Sequence, residues 1–466
     1  MNFVLLLPLV LLAAPQPPDE AAELRAIETL RQKLPDARKG ELGERLAKLK
    51  DPVEGFRTLI GYAAEQDIEG AYDHAAYDAY LAAFRKLRPD HPDGFYFAAL
   101  RASGVGKHAE AFDLYKTTLE KAPAAEREKY LEPCVRGMAI HGKELETYEA
   151  VPPADRGVTF RLLSEKLYGG LFLFHHVEVG VKEARQRLDR LVERHATVVP
   201  ADPRPMLVRG QLKQQDREWA TAEEWYAKFL AATRKADNLT GWATAFYGRV
   251  DVAFHRGRGL AIYRELAPTV DATTGKAVFE RLEEQYEKAR DAAGYKALLA
   301  EHESRQPADP DLLYFRGMAF WVAKDYSKAA DEFRKYLEPW WAAKGMGKGK
   351  RPRYGGYGFN SRGAPERLVR ALVRADRGAE VAAVVAKMTA LEASFHWFRV
   401  TAAAAAGDVA GTRRAVEASA KGQQGGPNLA TFYCDADLGP ILRSAALAAF
   451  RATYPESPGL FPNPKD

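Results

Sequence analysis

With 466 residues, 47% of them hydrophobic and 28% charged, the chain exceeds what one compact core fills and is too apolar for wholesale disorder, so it is several domains or a repeat array. The formal charge of +5, from 68 Lys and Arg against 63 Asp and Glu, is weak evidence for a nucleic-acid partner. Residues 344–363 alone carry +6 and the remainder sums to about −1. Ala and Leu outnumber Val and Ile, which favours helix over strand.

The start, MNFVLLLPLVLLAAPQPPDE, holds an apolar run from Phe3 to Ala14. As a helix it would span about 18 Å, short of the roughly 30 Å hydrocarbon core of a bilayer. The run reads as a secretory signal over 1–14, cut after Ala13 or Ala14, with a Pro-rich linker over 15–20. No Lys or Arg precedes it, and Leu stands three residues before either cut. The expectation is export, periplasmic or secreted, with no membrane span after cleavage. Cys134 and Cys434 are the two cysteines, expected as buried, unpaired, inert thiols.

From there helix follows helix. AAELRAIETLRQKL, ELGERLAKLK and PVEGFRTLIGYAAEQ repeat apolar residues three and four apart, and Gly and Pro punctuate the joins. The array is assigned to 21–340, a basic Gly-rich insertion to 341–364, further helical repeats to 365–454 and a frayed tail to 455–466. In DGFYFAALRASGVGKHAEAFDLYKTTLEKAP, the positions Phe95, Ala99, His108, Ala111, Tyr115 and Pro123 form one hairpin pattern. GVGKHA within it is a loose GxGxxA match and reads as a turn. GGLFLFHHVEVG fits a strand or a buried helix equally well. His175, His176 and Glu178 are read as structural, since only one of two neighbouring histidines can share a helix face with Glu178. PMLVRGQLKQQDREWATAEEWYAKFL repeats the pattern with Gly210, Trp219, Ala222 and Tyr226.

The clearest unit is PDLLYFRGMAFWVAKDYSKAADEFRKYLEP. Leu313, Gly317 and Phe320 lie on one side of its first helix, and Tyr326, Ala329, Phe333 and Tyr336 face them from the second. Lys324 and Asp325 make the turn, and Pro339 is expected to end the second helix. Trp340 and Trp341 are read as a wedge behind it. Farther on, FHWFRVTAAAAAGDVAGTRRAVEASA reads as a hairpin turned at Gly407 and Asp408. ATFYCDADLGPILRSAALAAFRATYP reads as an acidic turn, Asp435 and Asp437 serving as turn and helix cap, followed by one last amphipathic helix.

These units resemble the tetratricopeptide repeat, with its small residue midway along the first helix, aromatic opening the second, Ala within it and terminal Pro. The resemblance implies an all-α fold, a right-handed α-solenoid of antiparallel helix hairpins. It also implies a concave binding wall built by first helices, here Tyr314, Met318 and Trp321, with Gln211, Gln214 and Gln215 in a weaker unit. Chaperone-binding members of that family place Lys and Asn on this wall. Tyr, Met and Gln imply instead an extended or helical segment docked on apolar and amide groups.

Enzyme signatures are missing: the sequence has no GxSxG, HExxH, Walker loop or CxxC. No catalysis, cofactor or metal is expected. The insertion, with Lys348, Lys350, Arg351 and Arg353 for charge and Tyr354, Tyr357 and Phe359 for stacking, is either a polyanion gripper or a solvated loop. The reading is a non-catalytic protein-binding scaffold. Its alternatives are an envelope glycan or peptide enzyme and a polyanion binder acting through 344–363.

Overall fold

The computed structural model describes residues 20–33, 51–65, 74–173, 178–342, 363–389, 396–419 and 429–456. They are helical with no strand among them. The chain divides into two compact units, residues 1–212 with 231–241, and residues 213–230 with 242–466. The boundary runs through the hairpin Arg204–Gln215 and Trp219–Ala232.

Within each unit, hairpin packs on hairpin in chain order, the arrangement of an all-α solenoid. In the first, Pro92–Gly104 pairs with His108–Lys121, Arg127–Met138 follows, and Arg156–Leu173 pairs with Glu178–Val198. In the second, Ala272–Ala289 pairs with Ala292–Arg305, Leu312–Val322 with Tyr326–Ala342, and His396–Ala405 with Val409–Ser419. Among the described residues each unit contains two buried apolar clusters. The first has one around Phe56, Tyr77 and Phe84 and one around Tyr115, Tyr148 and Leu188. The second has one around Phe279, Phe315 and Phe333 and one around Val416, Tyr433 and Leu447.

One turn recurs between paired helices. A residue with positive φ ends the first helix, and the next N–H reaches the carbonyl five residues back. Lys324 (φ 60°) is followed by Asp325 N–H to Phe320 O at 2.9 Å, and Arg290 (φ 55°) by Asp291 N–H to Tyr286 O at 3.0 Å. Gly106, Arg217, Gly257, Asp376 and Gly407 repeat it. This closure satisfies carbonyls that a helix end leaves orphaned. Where the following residue is Asp, its side chain opens the second helix. Asp291 accepts from Gly294 N–H and Asp408 from Gly411 N–H, at 2.9 and 2.8 Å.

The hairpin Leu312–Val322/Tyr326–Ala342 closes on Gly317. A Cβ there would lie 2.6 Å from the Phe333 ring, so the small residue is what lets that ring seat against the first helix. Pro339, expected to end the second helix, lies inside it, and the helix runs on to Ala342. Pro339 is exposed, so the carbonyl its ring leaves unbonded can take water. Trp341 is buried under Lys387, as a wedge should be, 4.9 Å from the ring centroid.

The ambiguous segment is helical through Leu173. The closing segment is not one helix but short turns at Leu429–Tyr433, Leu438–Leu442 and Ala448–Thr453. Side chains of arginine fill the breaks: Arg443 donates to Tyr433 O at 2.9 Å, and Arg451 to Leu442 O at 2.9 Å and to Ser444 O. Both cysteines are free. Cys134 is buried, which pushes its thiol up to about 12, while Cys434, expected to be buried, is exposed beside the acidic turn.

Candidate functional site

A groove of about 600 Å³ opens in the second unit, in the size range of ligand-binding clefts. Its floor comes from Leu312–Val322, which packs against both flanking helices, Ala292–Arg305 and Tyr326–Ala342. Leu313, Ala319 and Phe320 lie half-buried on that floor, and Leu299 and Ala300 stand on one wall. Six charged residues also line the groove, Lys296, Glu303, Arg316, Asp325, Glu332 and Lys335, and most of this charge is paired. Arg316 donates to Glu303 at 2.7 Å, Lys335 to Glu332 at 2.6 Å, and Lys328 lies 2.7 Å from Asp325.

The expected wall is corrected by one helix face. Tyr314, Met318 and Trp321 are 6%, 0% and 9% exposed and lie in the core, where Arg367 and Arg374 flank the Trp321 ring at 4.9 and 4.4 Å. The sequence LLYFRGMAFWV is apolar almost all round, so its period does not say which face stays open. Leu313 and Phe320, assigned to the hairpin interface, are the open residues. Of the glutamines, Gln211 and Gln214 are half-buried and Gln215 exposed, and Gln214 accepts a hydrogen bond from Tyr226 at 2.6 Å. Lys348, Lys350, Arg351, Arg353, Tyr354 and Tyr357 of the insertion lie outside the described residues, as do the leader 1–14 and His175 and His176.

Sequence reasoning missed two buried polar chains. In the first unit, Tyr148 Oη lies 2.7 Å from His195 Nδ1, and His195 Nε2 lies 2.8 Å from Asp202. In the second, Tyr263 Oη lies 2.8 Å from His302 Nδ1, and His302 Nε2 lies 2.9 Å from Asp309. A carboxylate only accepts, so Nε2 donates in both, and Nδ1 completes the chain to the tyrosine hydroxyl. Both histidines are 0% exposed and stacked on a phenylalanine, Phe160 at 4.1 Å and Phe279 at 3.9 Å. With every polar atom of the ring satisfied and the ring itself fully buried, each chain is a structural joint. A signal was present: PADP follows each histidine at the same distance, ending the loop before the next helix.

Burial alone would raise the Asp202 and Asp309 carboxyls. Hydrogen bonds from His195 and Arg204 to the first, and from His302 and Lys276 to the second, outweigh it and hold both well below the usual carboxylate range. Asp435 caps the turn, as expected, while Asp437 stands at the N-cap position without a side-chain cap bond. Asp435 caps Asp437 N–H and Leu438 N–H at 3.0 and 2.9 Å. Both also bind arginines of Ala364–Arg374: Arg370 reaches Asp435 at 2.8 Å, and Arg374 reaches Asp437 at 2.6 Å. Among the described residues no group of three or more His, Cys, Asp or Glu is placed to hold a metal, and no helix is long and apolar enough to cross a membrane.

No family model and no curated protein matches the sequence. Among solved structures, the crystal structure of the TPR domain of P58(IPK) is similar to this chain at 12% identity, covering 94% of this chain and 100% of that one, with a TM-score of 0.22. A superposition that loose carries no argument, and the tetratricopeptide-like fold rests on the recurring turn and on the small-residue hairpin contact at Gly317.

Proposed function

We propose that this protein is a non-catalytic scaffold that binds a segment of another protein in the groove over Leu312–Val322. The observation that carries the reading is an apolar floor, Leu313, Ala319 and Phe320, left half-open in a groove lined from both flanking helices. Burying such a floor favours association by about 25 cal/mol per Å² before the costs of ordering. A partner helix presenting apolar residues three and four apart is the shape that suits it. The leader-like run Phe3–Ala14 supports work in an exported compartment, and N-terminal sequencing of the mature protein tests that part.

The groove itself is tested with a photoreactive residue placed at Ala300 in the full chain. The reading expects crosslinks to a discrete partner that vanish when Leu313→Asp or Phe320→Asp puts a charge on the floor while helix content is kept. Crosslinks indifferent to both substitutions would overturn it.

A further inference from the structure

We infer that the segment this groove accepts carries an acidic side chain beside its apolar anchor, an inference that rests on the groove being the docking site. Three carboxylates stand at the rim, Glu303, Asp325 and Glu332, and each already has its own cation in the fold: Arg316 at 2.7 Å, Lys328 at 2.7 Å and Lys335 at 2.6 Å. A basic residue arriving on a partner would have to displace one of these to gain a counter-charge.

Lys296 is different. It lines the same groove from Ala292–Arg305, is exposed, and forms no ion pair among the described residues. Ala292, Lys296, Leu299, Ala300 and Glu303 share one face of that helix, at the three- and four-residue spacing that brings side chains onto one stripe. The ammonium therefore stands one turn from the apolar wall at Leu299 and Ala300, while Glu303, one turn farther on, is held by Arg316. The lining holds three cations, Lys296, Arg316 and Lys335, against three carboxylates, and Lys296 is the cation among them that no carboxylate of the described residues pairs. An apolar residue seated over Leu299, Leu313 and Phe320 brings its neighbours on the partner up to this charge. A carboxylate there is attracted, an amide is neutral, and a lysine is repelled.

The test uses the full chain and two capped peptides, Leu-Glu-Ala-Leu-Phe-Ala-Leu and the same peptide with Gln for Glu, with affinity read by fluorescence anisotropy. The Glu peptide is expected to bind about three-fold tighter, the scale of one exposed ion pair, with a preference that shrinks as salt is raised. Lys296→Gln should abolish the preference and Lys296→Arg should keep it; neither should shift thermal unfolding, because the side chain is exposed. Equal binding of both peptides overturns the acidic-residue inference and leaves the groove reading standing, provided Phe320→Asp abolishes binding of both. A preference that survives Lys296→Gln also overturns it. Failure of both peptides to bind overturns the groove reading and this inference together.

Discussion

The two buried histidine joints show how one motif is kept while its surroundings change. Tyr–His–Asp geometry, a stacked phenylalanine and the PADP sequence are common to His195 and His302. They differ two residues after the aspartate. In the first unit Arg204 stands there, donates to Asp202 at 2.9 Å and also reaches Gly157 O at 2.6 Å, so the cation is local. In the second unit the position is Asp311, a second acid. Charge balance is restored from another helix: Lys276 donates to Asp309 at 2.7 Å and to Asp311 at 2.6 Å, and Tyr336 donates to Asp311 at 2.9 Å. Asp93, at the equivalent hairpin entry of the first unit, uses the same kind of set, Arg57 and Tyr130 at 2.6 and 2.7 Å. Arg204 ties its own loop to Arg156–Leu173, whereas Lys276 and Tyr336 bring Ala272–Ala289 and Tyr326–Ala342 together on the entry of Leu312–Val322.

The sharpest test of that difference is removal of the aspartate. Asp309→Ala leaves the buried His302 without an acceptor and Lys276 with Asp311 as its one counter-charge, and should cost about 3 kcal/mol. Asp202→Ala should cost less, because Arg204, 29% exposed, turns to water more easily. Thermal unfolding of the two variants decides, and equal losses would mean that the source of the cation is immaterial. Hydrogen exchange should show the Asp309→Ala damage spreading to Ala272–Ala289 and the Asp202→Ala damage staying near its own loop.

Next in size, Gly317→Ala overpacks Phe333 and should cost about 1–3 kcal/mol by the same unfolding assay, since a Cβ would sit 2.6 Å from the ring. Tyr148→Phe and Tyr263→Phe each remove the partner of a buried Nδ1 and should cost about 1–3 kcal/mol. These two should match each other closely, because this part of the joint is shared.

Acid tests both joints at once. Asp202 and Asp309 have folded-state pKa values below the unfolded value near 3.9, so their contribution is complete above about pH 4 and is lost as pH falls through the folded values. Unfolding followed from pH 5 downward should show stability falling with pH, and Asp309→Asn should flatten that slope. The smallest effect expected is a gain. Arg290→Gly relieves a left-handed non-glycine at a turn and should add up to about 1 kcal/mol.

How much was legible beforehand differs from one feature to the next. Helix content, the hairpins at Pro92, Arg204 and Leu312, and the turn at Gly407 followed from apolar spacing and from Gly, Pro and Asp at the joins, because these act through local backbone energetics. Turns at Arg290 and Asp376 are equally regular, yet their left-handed residue is not glycine and left a fainter trace. The groove was misplaced by a helix face for the reason already visible in LLYFRGMAFWV. Where nearly every position is apolar, exposure is set by which neighbours arrive, and Ala364–Arg374 arrives over Trp321. Pro339 misled in the opposite direction, because a proline's cost depends on whether water reaches the carbonyl it orphans.

Alone, the amino-acid sequence determined that this is a helical array with tetratricopeptide-like hairpins, since helix periodicity and turn chemistry depend on residues a few positions apart. Tertiary structure decided which apolar side chains are core and which are open, and where Lys276 delivers its charge. Those outcomes depend on residues tens of positions away, and no local pattern records which of them will come into contact.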